Sequence, residues 1–169
     1  MKLKTTEKGF TMVELLVGLS IAAFVVGAAS MTTITMMRLT PQNNNWTVAL
    51  RQVQNAGYWI SRDAQMSRGE VLIDPVPGTF LTLTLPQDQD PVNDMTVNYE
   101  LQNINGVTWL IRTASTGGQT AIATDISGTD ADYDPDIGTL TFTITATQGD
   151  IPVTREYEAT QRLAPAPAP

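Results

Sequence analysis

Hydrophobic and polar residues divide the chain into a long apolar run near the N-terminus and a remainder with shorter repeats. Residues 15–37 contain no charged residue. This run of about 23 residues is long enough to cross a bilayer core, which needs about 20 apolar residues. We expect one helix from Phe10 to about Thr40. Pro41 and the polar residues 42–45 predict a break after it, because the residue before a proline disfavours helix, with a kink in the helix as the alternative.

The pattern from Trp46 to about Ser67 predicts a second, amphipathic helix. Its apolar positions recur at steps of three and four residues, as on one face of a helix. The stripe consists of Trp46, Leu50, Val53, Gly57, Ile60 and Ala64. Arg62 and Asp63 fall mostly off this stripe. The apolar side therefore needs a second layer to cover it.

Alternation with period two predicts that layer to be a β-sheet. The predicted strands cover residues 79–85, 95–101, 107–112, 139–145 and about 153–162. Asn105-Gly106, between two of them, is a hairpin signal. We therefore expect an α+β fold, with a long N-terminal helix whose first half is transmembrane and an antiparallel sheet packed on its second half. The Ala-Pro repeat at 164–169 predicts an extended tail.

Charge and composition narrow the classes of function. The net charge is −7, and outside residues 1–9 the chain has seven arginines, no lysine and sixteen acidic residues, a net of −9. This balance argues against nucleic-acid binding, which needs cations to neutralise phosphates. The chain contains no histidine and no cysteine. Ser-His-Asp and Cys-His catalysis are therefore excluded, and we expect a protein that is not an enzyme.

The N-terminal junction carries the most specific motif. The segment Lys8-Gly9-Phe10-Thr11-Met12-Val13-Glu14 resembles the prepilin peptidase site of type IV pilins and type II secretion pseudopilins. The resemblance implies cleavage between Gly9 and Phe10, followed by N-methylation of Phe10. It also implies that Glu14 pairs with the N-terminal amine of a neighbouring subunit and sets the register of assembly. The three leader lysines suit the cytoplasmic side of the membrane.

Three further segments resemble the J-type minor pseudopilins and the PilW-like minor pilins. They are residues 59–64 on the second helix, the pair 97–101 and 109–112, and the closing segment 158–163. The resemblance implies the pilin fold, with four parts. These are a leader at 1–9, a transmembrane and assembly helix at 10–40, an α+β ectodomain at 41–163 and a flexible tail at 164–169.

The expected function is therefore that of a minor pilin or pseudopilin. Such a subunit sits in the cytoplasmic (inner) membrane as a single-pass protein with its ectodomain outside the cytoplasm. The implied partners are other pilins in a filament or tip complex, the prepilin peptidase and the inner-membrane assembly platform. Two alternatives stay open: a major pilin that builds the filament, and a membrane-anchored binding module, calcium-dependent or not, that never polymerises.

The acidic stretch 125–136 is the candidate metal site. Asp130, Asp132, Asp134 and Asp136 could converge on calcium, which takes six to eight oxygen ligands. The stretch departs from an EF-hand, with Pro135 where the loop needs glycine and Thr141 where it needs a bidentate glutamate. We therefore favour a solvated acidic loop before the strand at Thr139, and expect no cofactor unless calcium binds.

Two sets of residues suggest packing roles. Small residues at four-residue spacing would let membrane helices approach closely, although such residues are also common in membrane helices. They are Gly18, Ala22, Ala23 and Gly27. The aromatic residues Trp46, Tyr58 and Trp59 could form a subunit contact, but we favour core packing for them.

Overall fold

The computed structural model describes residues 9–69, 71–87 and 93–162, without the side chain of Arg38. Residues 1–8 of the predicted leader and the predicted Ala-Pro tail lie outside the described residues. The chain divides into two units, one that ends at Asn43 and one that begins at Asn44. Each unit is described by itself below.

One helix and eight strands make up the described residues. The helix α1 spans Met12–Met66. The strands are β1 Leu72–Val76, β2 Thr79–Leu85, β3 Met95–Ile104, β4 Val107–Ala114, β5 Gln119–Ala123, β6 Ile126–Asp134, β7 Thr139–Gln148 and β8 Ile151–Thr160. All paired strands are antiparallel. The α+β prediction is therefore confirmed.

The predicted helix break at Pro41 is wrong. Helix α1 continues through Pro41 for its full 55 residues. A proline inside a helix removes one hydrogen bond and costs roughly 3 kcal/mol. Ending the helix and starting another would leave about four carbonyls and four N–H groups without helical partners. One continuous helix therefore loses fewer backbone hydrogen bonds than two helices would.

The strands form two sheets. Five strands have the order β1-β2-β3-β4-β5, and three have the order β6-β7-β8. Four of the predicted strand segments lie within β2, β3, β4 and β7, and the fifth corresponds to β8, which ends two residues earlier than predicted. The hairpin at Asn105-Gly106 is confirmed, with φ of 54° and 83°, because its geometry needs two residues in the left-handed region. Period-two alternation did not identify β1, β5 or β6.

The core of the unit from Asn44 onward lies between helix α1 and the two sheets. The buried hydrophobic residues of the helix are Ala49, Val53, Ala56, Ile60 and Ala64. They pack in one cluster with residues such as Leu83 of the first sheet and Phe142 of the second. The buried face thus follows the predicted stripe from Val53 onward. Trp46, at the start of the predicted stripe, is 47% exposed.

Candidate functional site

The N-terminal junction is accessible. Gly9 and Phe10 precede the helix and both are exposed. Apart from the adjacent residues, no atom of the described part of the chain lies within 4 Å of the position that a Cβ on Gly9 would take. The Phe10 side chain is 88% exposed. The backbone between Gly9 and Phe10 is therefore open to an enzyme. Cleavage and methylation at these residues stay predictions.

Glu14 closes the first turn of helix α1 together with Thr11. The carboxylate oxygen Oε2 of Glu14 accepts hydrogen bonds from the backbone N–H of Thr11 at 3.1 Å and from its hydroxyl at 3.0 Å. The backbone N–H of Glu14 donates to Oγ1 of Thr11 at 3.3 Å. This reciprocal pattern is a capping box. We did not identify Thr11 from the sequence, although the Thr-x-x-Glu spacing is the signal for it.

The N-terminal half of helix α1 exposes apolar side chains throughout. It contains a window with a mean hydropathy of 2.2, none of which is buried, and α1 is long and apolar enough to cross a membrane. Hydroxyl groups along it donate to the carbonyl four residues earlier, at 2.8–3.1 Å. These residues are Ser20, Ser30, Thr32, Thr33, Thr35 and Thr40. Hydrocarbon offers no hydrogen-bond partner, so internal bonding suits such a segment.

The small residues of this segment have room for close neighbours. Apart from the adjacent residues and the nearby backbone of the helix itself, no atom of the described residues lies within 4 Å of the position that a Cβ on Gly18 or on Gly27 would take. An open groove beside Gly27 is lined by Ala23, Phe24, Ala28 and Met31. Helix–helix packing through these residues stays a prediction.

The acidic stretch is a strand and not a loop. Asp130, Asp132 and Asp134 lie on β6, so the prediction of an acidic loop is wrong. Residues two apart on a strand are separated by roughly 6.6 Å, which spreads their carboxylates along one face. Within residues 9–69, 71–87 and 93–162, no group of three acidic side chains could hold a metal ion. Asp136 lies in the following turn, where its N–H donates to Oδ1 of Asp134 at 2.9 Å. The geometry therefore gives no support to calcium at these residues.

A buried ion-pair network lies where helix α1 meets β3 and β4. The Asp63 side chain is fully buried, although the sequence pattern placed it off the apolar stripe. Its Oδ2 accepts hydrogen bonds from the Tyr99 hydroxyl at 2.8 Å and from Nε of Arg112 at 2.5 Å. Its Oδ1 accepts bonds from Nη2 of Arg62 at 3.1 Å and from Nε at 3.3 Å. Both carboxylate oxygens are thus hydrogen-bonded, as a buried charge requires.

The network shifts the ionisation of its members. Burial raises the pKa of Tyr99 far above its usual range, and the neighbouring Asp63 carboxylate adds to the effect. Burial is the largest influence on Arg112 and lowers its pKa, but the hydrogen bond to Asp63, the charge of Asp63 and the interaction with Tyr99 together outweigh burial and raise that pKa. Tyr99 therefore stays a neutral donor and Arg112 a cation.

The aromatic residues of helix α1 differ in environment. Trp59 packs partly buried against the core, with the guanidinium of Arg62 4.1 Å and that of Arg112 5.7 Å from its ring centroid. Tyr58 is 62% exposed and meets Trp59 edge to face, with centroids 6.3 Å apart. The core prediction is therefore wrong for Trp46 and Tyr58.

Comparison with known proteins gave one match. The family model described as the prokaryotic N-terminal methylation motif matches residues 4–30. The matched range includes the exposed junction and the capping box. The searches of curated proteins and of solved structures gave no match.

Proposed function

We propose, from the premise that its N-terminal motif is that of the type IV pilin and pseudopilin family, that this chain is a minor pilin or pseudopilin. In this proposal it is a structural subunit, not an enzyme. The prepilin peptidase removes residues 1–9 and Phe10 is methylated. The subunit then remains in the inner membrane until the assembly platform incorporates it into a filament or tip complex with other pilins.

One observation carries the proposal. The matched motif covers the start of helix α1. The most hydrophobic window in the apolar half of this helix has no buried residue, whereas the second half packs into a folded ectodomain. A helix half whose apolar side chains are not covered by the described residues needs lipid or other apolar helices around it. A subunit that leaves the membrane for a filament replaces lipid with neighbouring helices.

Glu14 supports assembly over simple anchoring. A carboxylate in a membrane helix is costly, by roughly 2.5–3.5 kcal/mol at the centre of the bilayer for Asp. The capping box satisfies Oε2 in the single subunit. In a filament, the carboxylate would instead meet the α-amine of Phe10 of a neighbouring subunit, an opposite charge in a medium of low dielectric constant.

The first test is the intact mass and N-terminal sequence of the protein purified from native membranes. We expect a chain that begins at N-methylated Phe10. A chain that still begins at Met1, in a host with an active prepilin peptidase, would refute the proposal. Labelling of filaments then separates the two kinds of subunit, because a major pilin is found along the whole fibre and a minor one is not.

The second test separates the charge of Glu14 from its role as a cap. Glu14→Ala should abolish incorporation into the filament. Glu14→Gln keeps an oxygen that can accept the Thr11 hydrogen bonds but removes the charge. We expect both variants to fail in assembly while they remain in the membrane. Normal assembly of the Gln variant would show that capping suffices and that no ion pair forms.

A further inference from the structure

The cluster of Tyr58, Trp59, Arg62 and Arg112, here called the guanidinium patch, carries more positive charge than its surroundings neutralise. Arg62 and Arg112 both pair with the single carboxylate of Asp63. Within the described ranges, neither guanidinium has a second carboxylate within 4 Å. Two cations share one anion, so the patch together with Asp63 has a net charge of about +1.

Arg62 is positioned to bind a further anion. Its Nε and Nη2 donate to Asp63, and a guanidinium has five N–H donors in all. Its side chain is 38% exposed, so the remaining donors can be reached from solvent. The ring of Trp59 beneath it and the Asp63 bonds hold the guanidinium in place. Binding a carboxylate there would therefore cost little side-chain entropy.

The residue types of the patch are those that dominate protein–protein contacts. Trp, Tyr and Arg are enriched among residues whose truncation weakens binding most. Tyr58 stands exposed beside Trp59 and would provide apolar area next to the charged group. The patch thus fits a carboxylate side chain that is accompanied by an apolar neighbour.

We propose that the guanidinium patch is a docking surface for an acidic segment of a different pilin subunit. The inference rests on the proposed function, because it takes the partner from the same assembly. Charge complementarity identifies the occupant as a carboxylate. A minor subunit is not found along the whole fibre, so in the proposed assembly its neighbours are other subunits. The acidic segment is therefore placed on a different subunit and not on a second copy.

The test is site-specific photo-crosslinking of the full chain in native membranes. The photoreactive residue p-benzoylphenylalanine replaces Tyr58, and a control places it at Ile104, which is 42% exposed in the β3–β4 hairpin. We expect a crosslink from position 58 to a processed subunit of different sequence, mapped by mass spectrometry to a peptide that contains Asp or Glu. A crosslink from position 58 to a second copy or to a peptide without an acidic residue would overturn the inference. The absence of a crosslink from both positions would overturn it as well.

The charge requirement is tested by combining the crosslinker with Arg62→Gln. Loss of a charged hydrogen bond should lower the yield by about tenfold or more, whereas Arg62→Lys should retain part of it. Arg155→Gln is the matched control, because it removes an exposed arginine from β8 and should leave the yield unchanged. Thermal unfolding of each purified variant checks the fold. An unchanged yield in a folded Arg62→Gln variant would overturn the inference.

The same membranes distinguish this inference from the proposed function. A chain that is cleaved, methylated and incorporated into filaments but gives no crosslink at position 58 would overturn the docking surface alone. A chain that still begins at Met1 would refute the proposed function, whatever the crosslinks show.

Discussion

Gly57→Ala tests whether helix α1 and strand β8 are held in contact at a position where only glycine fits. A Cβ at position 57 would lie 2.2 Å from Cζ of Tyr157, and 2.5 and 2.6 Å from its Cε1 and Cε2. The ring has little freedom to withdraw. It stacks on Phe142 with centroids 5.2 Å apart, and its hydroxyl donates to the carbonyl of Val53 at 3.1 Å.

The size of the effect follows from opposing contributions. Alanine in place of glycine favours the helix by about 1 kcal/mol. Against this, an extra methyl group in a packed contact costs roughly 1–3 kcal/mol. A displaced ring would also lose a hydrogen bond of about 1 kcal/mol and stacking of about 0.5–1.5 kcal/mol. We therefore expect the free energy of unfolding to fall by about 2–4 kcal/mol.

The assay is chemical unfolding of the full chain in detergent, followed by tryptophan fluorescence, in a double-mutant cycle with Tyr157→Ala. Without the ring, Gly57→Ala should raise the free energy of unfolding by up to about 1 kcal/mol, because only the helix preference remains. The sign of the effect should thus reverse between the two backgrounds. An effect that is neutral or stabilising in the unmodified chain, or equally destabilising without the ring, would refute the reasoning.

Two predictions concern the Asp63 network. Asp63→Ala should lower the free energy of unfolding by roughly 3–5 kcal/mol, because it leaves the mostly buried guanidinium of Arg112 without its partner. Asp63→Asn keeps one acceptor oxygen and should lower the free energy of unfolding by less. Chemical unfolding checks both, and an Ala variant as stable as the original chain would contradict the first. Because burial raises the pKa of Tyr99 in the folded state, its contribution is present below about pH 10 and is lost as pH rises above that value. Melting temperatures between about pH 8 and 11.5 should fall less steeply in Tyr99→Phe, and identical slopes would count against a buried neutral Tyr99.

The Asp63 network shows where reasoning from the sequence failed. Arg62-Asp63 on an amphipathic helix is typical of a solvated pair, and the pattern offered no reason to bury it. The partners of Asp63 are Tyr99 and Arg112, 36 and 49 residues further along the chain. Arg62 is the neighbour of Asp63 on helix α1, but only the arrangement of β3 and β4 against this helix supplies the two further donors that make burial of the carboxylate tolerable.

The sequence did not predict strand β6, for a related reason. Aspartate and glycine are depleted in strands, so residues 126–134 resembled a loop. Their strand conformation comes from pairing with β7, where Asp130 lies opposite Thr143 and Asp132 opposite Thr141. Backbone hydrogen bonds to a neighbour outweigh a weak local preference. Because these residues form a strand and not a loop, the carboxylates that had suggested a calcium site are spread along the strand.

Features that depend on nearby residues were predictable from the sequence. These include the apolar run, the N-terminal motif, the alternating strands and the Asn105-Gly106 turn, each governed by contacts within a few positions. Contacts between residues far apart in the chain became visible only in the folded protein. Gly57 accommodates the ring of Tyr157, whose hydroxyl reaches a carbonyl 104 residues away, and Asp63 is enclosed by two strands. Such contacts depend on the packing of whole elements, which local periodicity does not specify.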